Sequence, residues 1–72
     1  MMQFYYCGDI VFFETQNSKT LEHEIEVSRN VMDSNNNETE VFIKTIPNMR
    51  VITIAQMDND EFNNFLITNN LK

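Results

Sequence analysis

The chain has few of the residues on which small proteins build cross-links or reactive sites. Its 72 residues include one cysteine, one glycine, one proline and one histidine, and no tryptophan. A single cysteine, Cys7, excludes an internal disulfide and is typical of a reducing compartment. One glycine, Gly8, excludes a phosphate-cradling loop, because such loops need several glycines.

Positive charge is scarce as well. Five lysines and arginines stand against eleven aspartates and glutamates, which gives a formal net charge of −6. This balance argues against binding to nucleic acid or anionic membranes and favours a basic partner. The longest unbroken apolar runs, residues 4–7 and 10–13, are far shorter than the ~20 residues that cross a bilayer, and no basic signal-peptide region precedes them. We therefore expect a soluble cytoplasmic protein.

Short length limits the stability that one core can supply. A core of this size rarely contributes more than ~3–5 kcal/mol, and small scaffolds usually add disulfides, a metal or a second copy of themselves. With no disulfide available, self-association is the expected support.

The most distinctive stretch is residues 21–28, which reads L-E-H-E-I-E-V-S. Apolar residues and His23 alternate with glutamates, which predicts a β-strand with one apolar side and one acidic side. Glutamate is not a favoured strand residue, so three glutamates at alternate positions on one face indicate a role other than strand formation. The three are Glu22, Glu24 and Glu26.

Turn-forming residues divide most of the chain into strands. Gly8 supplies the positive φ of a tight turn and predicts a hairpin. Pro47 and Asn48 predict a second hairpin. The arms of these hairpins are residues 3–6 with 10–14 and residues 39–46 with 49–56; the acidic strand lies between them within residues 20–32, and residues 15–19 and 33–38 are loops.

The periodicity changes near the end of the chain. Apolar residues spaced i, i+3 and i+4 from Phe62 predict a helix over residues 59–70. Asp58 can cap its start, and Glu61 three residues later completes a capping box. Met57 before the cap matches Phe62 as a hydrophobic staple.

The predicted fold is therefore α+β, in a single domain over residues 1–72. It is a small, mostly antiparallel sheet of about five strands with one C-terminal helix. Five strands span roughly 24 Å, whereas one helix covers about 10–12 Å. Several strands are apolar on both sides, so the uncovered remainder is expected to meet a second copy or the target, which favours a homodimer.

Reactive chemistry is nearly absent. His23 lies on the apolar side of the acidic strand and is interpreted as structural. Cys7 has no basic neighbour in the sequence that would activate its thiol and is interpreted as an inert apolar residue. The loop from Asp33 imitates a calcium loop, but Glu38 stands where glycine is required and Lys44 where a bidentate glutamate belongs. We therefore expect no enzyme activity, no metal and no cofactor.

The glutamate row suggests a binding surface. In a strand its carboxylates repeat every ~6.6–6.8 Å, and a DNA strand carries one phosphate per ~3.4 Å of axis along a longer backbone path. Such a row can stand in for phosphates before a groove lined by lysine and arginine. The alternative interpretation of the glutamate row is an ordinary solvated surface whose charge keeps the protein soluble. The supporting acidic contacts are predicted to be Asp33, Glu38, Glu40, Asp58, Asp60 and Glu61.

In its glutamate row, acidic balance, compact size and asparagine run at 35–37, the chain resembles the small acidic host-takeover proteins of bacteriophages. That group includes DNA mimics that block sliding clamps, nucleoid proteins, restriction enzymes or CRISPR nucleases, and the sliding-clamp inhibitors of Twort-like staphylococcal phages belong to it. The resemblance implies an inhibitor that occupies the basic DNA-binding surface of a host DNA-processing protein (a sliding clamp, nucleoid protein or nuclease) in the host cytoplasm. The alternative is a non-catalytic adaptor that binds another protein through exposed phenylalanine and isoleucine side chains.

Overall fold

The computed structural model describes residues 3–72 and arranges them as four β-strands followed by two α-helices. The strands form one antiparallel sheet in the order β1-β2-β3-β4. The α+β class and the antiparallel sheet are thus confirmed. The elements are β1 Phe4–Cys7, β2 Ile10–Gln16, β3 His23–Met32, β4 Glu38–Pro47, α1 Val51–Ala55 and α2 Asn59–Thr68.

The first predicted hairpin is confirmed. Cys7 pairs with Ile10, which leaves Gly8 and Asp9 as a two-residue loop between β1 and β2. Gly8 has φ +62°, the left-handed region that glycine enters without a Cβ penalty. A Cβ at this position would meet no atom within 4 Å, so the need for glycine is conformational and not steric.

The second predicted hairpin, and with it the fifth strand, is wrong. The chain turns off the sheet after Pro47, where Asn48 has φ +55°, and residues 51–55 form α1. The run V-I-T-I-A favours a strand by propensity. However, Val51 and Ile54 lie three residues apart on one side of a helix, and both are buried. Burial of this side against the sheet outweighs the local preference.

The predicted start of the C-terminal helix is confirmed. The Asp58 carboxylate accepts the backbone N–H of Glu61 at 2.8 Å, as an N-cap does. The helix ends at Thr68 rather than at residue 70, because Asn70 adopts a left-handed conformation with φ +60°. The N–H of Leu71 then donates back to a helix carbonyl at 2.8 Å, and its side chain is buried in the core.

Both helices lie on the same side of the sheet, here called the helix face; the other side is called the open face. The register pairs Phe12 with Val27 and Ile25 with Ile46, so these four side chains share a face. All four belong to the buried core that also contains the inward side chains of α1 and α2. The core consists of Ile10, Phe12, Ile25, Val27, Ile46, Val51, Ile54, Phe65, Leu66 and Leu71.

A cation ties α2 to the sheet. Lys44, on the helix face of β4, donates from Nζ to the carbonyl of Asn69 at 3.3 Å. Asn69 is the C-cap of α2, where the helix dipole is negative and a positive charge is favourable.

The β3–β4 hairpin extends beyond the rest of the sheet. The register of β2 reaches only Arg29, so the last residues of β3 pair with β4 alone. At Ile43 the register of β4 against β3 shifts by one residue, which is a β-bulge. Every residue from 31 to 43 is exposed. Among the described residues β4 is an edge strand along its whole length.

Candidate functional site

Two glutamates of the predicted row lie on the open face. The register pairs Glu24 with Thr15 and Glu26 with Phe13, and these residues alternate with the core residues of their strands. Glu26 is exposed, while Glu24 is half-buried and accepts a hydrogen bond from Nδ2 of Asn17 at 2.9 Å. The predicted acidic side of this strand is thus present over these two residues.

The start of the predicted acidic strand is wrong. β3 begins at His23, and Leu21 has φ +62° with 67% of its surface exposed, so it does not extend the buried side. Glu22 nevertheless stays close to the ladder, because its carbonyl accepts the N–H of Asn17 at 2.8 Å. It continues the register of Glu24 and Glu26 just outside the strand.

Two further predicted contacts lie on the same face. Glu40 pairs with Asn30 and Glu38 with Met32, which alternate along β3 with the same parity as Glu26. Asn30 lies four residue steps beyond Glu26 on β3, about 13–14 Å along the strand. The open face therefore carries carboxylates toward both ends of β3 and β4.

Asp33 has a role within its own loop. Its Oδ1 accepts the backbone N–H groups of Asn35 and Asn37 at 2.8 and 2.9 Å. Asn36 takes the left-handed conformation with φ +62°. The carboxylate thus closes the β3–β4 turn, although the residue remains exposed.

The remaining three predicted contacts are not brought together with the others. Asp58, Asp60 and Glu61 lie at the start of α2, and α2 packs on the helix face. The sheet therefore separates them from the open-face carboxylates. Asp58 is also occupied as the N-cap.

Charge pairing separates the acidic residues into two groups. Among residues 3–72, the acidic side chains within 4 Å of a cationic group are Asp9, with Arg29 at 3.1 Å, and Glu14, with Arg50 at 3.2 Å. All eleven acidic residues lie in this range. The nine without such a partner are the nine residues predicted as partner contacts: Glu22, Glu24, Glu26, Asp33, Glu38, Glu40, Asp58, Asp60 and Glu61.

The open face also carries apolar side chains on β1, β2 and β4. Phe4 packs edge-on against Phe13 with ring centroids 4.8 Å apart, and Tyr6 lies opposite Val11. Phe4 and Tyr6 remain 47% and 63% exposed, and Phe42 on β4 is 58% exposed. The open face thus combines exposed aromatic rings with carboxylates.

One charged cluster was not predicted. Glu14 is 2% exposed, and its carboxylate receives two hydrogen bonds from Arg50 and a third from the N–H of Val51. The Nδ1 atom of His23 lies 3.7 Å away. The signal was present in the sequence, because Glu14 has the same alternation parity as the apolar residues Ile10 and Phe12.

The Arg50 guanidinium, chiefly by hydrogen bonding, lowers the pKa of the Glu14 carboxyl, aided by the Val51 N–H; burial opposes this. The cluster has a structural role, because it holds the start of α1 against β2. His23 is 41% exposed at its edge. Among residues 3–72 no group of three histidine, cysteine, aspartate or glutamate side chains is placed to hold a metal ion.

Neither helix described between residues 3 and 72 has the length and apolar character needed to cross a membrane. Comparisons with protein-family models, with curated proteins and with solved structures found no match.

Proposed function

We propose that this chain is an acidic inhibitor that binds the basic DNA-binding surface of another protein and so keeps DNA away from it. The partner is a host DNA-processing protein such as a sliding clamp, a nucleoid protein or a nuclease. The chain and its partner then meet in the cytoplasm of the host cell.

The observation that carries this proposal is the pairing of charges. In the described structure four cationic side chains contact other groups: Arg29 contacts Asp9, Arg50 contacts Glu14, Lys44 contacts the carbonyl of Asn69 at the end of α2, and Lys72 contacts the amide oxygen of Asn63. Among residues 3–72, none of the nine predicted contact carboxylates has a cationic side chain within 4 Å. An uncompensated acidic surface of this kind attracts a basic one over long range and speeds association.

The distribution of these carboxylates narrows the contact surface. Glu24, Glu26, Glu38 and Glu40 share the open face, which no helix among residues 3–72 covers. Adjacent glutamates on β3 are ~6.6–6.8 Å apart along the strand. The acidic start of α2 lies on the other side of the sheet, so it contributes to the long-range field rather than to the same contact.

We further propose that two copies pair through β4. Among residues 3–72, the outer edge of the ten-residue strand β4 has no neighbouring strand, and its residues Val41, Phe42 and Ile43 are exposed. An edge of this type can associate with another strand. Two-fold antiparallel pairing of β4 would continue the sheet and keep both open faces on the same side. The acidic footprint would then double in length.

The second candidate function is an adaptor that binds through apolar contacts. The exposed aromatic rings Phe4, Tyr6 and Phe42 favour it. Its affinity would depend little on salt, whereas an electrostatic contact weakens as ionic strength rises.

The test is capture of partners from a bacterial lysate on the immobilised chain, with and without excess duplex DNA. The proposal predicts a retained DNA-binding protein that is released by DNA or by high salt. Retention of partners that neither DNA nor salt releases would support the adaptor instead. The control is the Glu24→Gln/Glu26→Gln variant immobilised in the same way. We expect it to retain less of the DNA-binding protein than the wild-type chain does.

A further inference from the structure

A pair of aromatic rings in edge-to-face contact lies beside a carboxylate on the open face. Phe4 and Phe13 are neighbours across β1 and β2, and their rings meet edge to face with centroids 4.8 Å apart and planes at 78°. Phe13 is half-buried and Phe4 is 47% exposed. The rings are therefore fixed by the sheet while part of their surface faces water.

Glu26 lies directly opposite Phe13 on the neighbouring strand. Directly opposite residues have Cβ atoms about 4.5–5.5 Å apart, and diagonal ones about 7–8 Å, so Glu24 lies on the diagonal of the same ring. Glu26 is exposed and has no cationic side chain within 4 Å among residues 3–72. A carboxylate and an aromatic surface are thus presented together.

An arginine side chain fits this combination better than a lysine does. A guanidinium is planar, so it can form two parallel hydrogen bonds to a carboxylate and stack on a neighbouring ring. A lysine ammonium is a compact, strongly hydrated charge that lacks this planar fork. We infer that Glu26, Phe13 and Phe4 form a subsite for an arginine side chain of the partner protein.

This inference rests on the proposed function, because it names the chemistry that the open face selects. A second copy of the chain is a poor occupant of this subsite. Two open faces packed against each other would bring Glu24, Glu26, Glu38 and Glu40 of one copy close to the same carboxylates of the other, and such like charges repel. The charge of the face favours a cationic protein segment.

The experiment uses two short glycine peptides that are identical except that one carries arginine and the other lysine. Each is titrated into the labelled full chain at low salt and followed by amide chemical shifts. We expect the arginine peptide to bind more tightly, by up to about 30-fold; this upper bound corresponds to a whole cation–π contact, part of which a lysine also makes. We also expect the largest shifts at Phe4, Phe13 and Glu26.

Two variants and their matched controls locate the selectivity. Phe4→Leu should bring the arginine-to-lysine affinity ratio close to one, while Tyr6→Leu, an aromatic change on the same strand opposite Val11, should leave it unchanged. Glu26→Gln should weaken binding of the arginine peptide, and Glu61→Gln on α2 should do so much less. The amide spectrum away from the open face shows whether each variant is folded.

Equal affinity for the two peptides, or shifts confined to the helix face, would overturn the subsite. Loss of selectivity in Tyr6→Leu but not in Phe4→Leu would also overturn it. The proposed function is tested by a different experiment, the capture from lysate. It is refuted if DNA releases no partner from the immobilised chain. A DNA-sensitive partner whose binding is insensitive to Phe4→Leu would leave the proposed function in place and refute the subsite.

Discussion

The side chains of Glu14 and Arg50, 36 residues apart in sequence, meet on the helix face of the sheet. The guanidinium donates to the two carboxylate oxygens at 3.2 and 3.3 Å. Only 2% of the Glu14 side chain is exposed, whereas 51% of Arg50 is. Because the same carboxylate accepts the N–H of Val51 at 2.8 Å, this pair fixes the first turn of α1 against β2.

Glu14→Gln should destabilise the protein. The amide can still accept the N–H of Val51, but it loses the charge-assisted bonds to Arg50, so the free energy of unfolding should fall by about 1–3 kcal/mol. Urea unfolding at pH 7 measures the change. Glu26→Gln, on the exposed open face, is the control and should change stability by no more than about 0.5 kcal/mol.

The same pair predicts a pH dependence. Hydrogen bonding to Arg50 lowers the pKa of Glu14 in the folded state below its ordinary value of 4.5. A carboxyl with a lowered folded-state pKa stabilises the protein above its unfolded-state pKa, and this contribution is lost as the pH falls through the folded-state value.

The stability difference between the wild type and Glu14→Gln should therefore be largest near neutral pH. It should shrink below about pH 4.5 as the carboxyl is protonated. Unfolding curves at several pH values check this. A difference that stays constant down to pH 3 would contradict the role given to the ionised carboxylate.

Two variants of Asp58 distinguish the effect of its capping hydrogen bond on α2 from the effect of its negative charge. Asp58→Ala removes the acceptor for the Glu61 N–H and should destabilise the protein by about 0.5–2 kcal/mol. Asp58→Asn removes the charge but keeps a capping oxygen, so this variant should lose much less stability than Asp58→Ala. Thermal unfolding of both variants measures this, and equal losses would show that charge rather than capping matters.

Pairing through β4 predicts a change in oligomeric state. Val41→Lys places a charge on the exposed edge strand and should yield a monomer where the wild type is a dimer. Ile52→Lys on α1 is the matched control, because Val41 and Ile52 are each 49% exposed. Sedimentation equilibrium measures the mass. A wild type that is monomeric at high concentration, or a dimer unaffected by Val41→Lys, would refute this pairing.

Local signals predicted the fold where they act within a few residues. The positive φ at Gly8 and the cap at Asp58 are decided by neighbours in sequence, and both are confirmed. α1 was missed because its cause is distant: the start of this helix is fixed by a buried carboxylate from β2. The sequence of residues 51–55 does not indicate this contact with a distant strand. Its β-branched composition favours a strand instead.

The candidate site shows the same division. Alternation placed Glu24 and Glu26 on one face, but it could not show that Glu38 and Glu40 share that face, because their side depends on the β3–β4 register. That register is fixed by a turn in which Asp33 accepts two backbone N–H groups. The placement of Phe13 opposite Glu26 likewise depends on pairing between distant strands.

The most direct test of the central claim compares two double variants that remove the same charge from opposite sides of the sheet. Glu24→Gln/Glu26→Gln changes the open face, and Asp60→Asn/Glu61→Gln changes the start of α2. Affinity for the DNA-binding partner captured from lysate is measured for each by calorimetry at low and high salt. We predict a marked loss for the open-face variant and a small one for the helix variant, with the wild-type affinity falling as salt rises. Equal losses in the two variants, or an unchanged affinity in the open-face variant, would contradict the claim that the open-face carboxylates contact the partner.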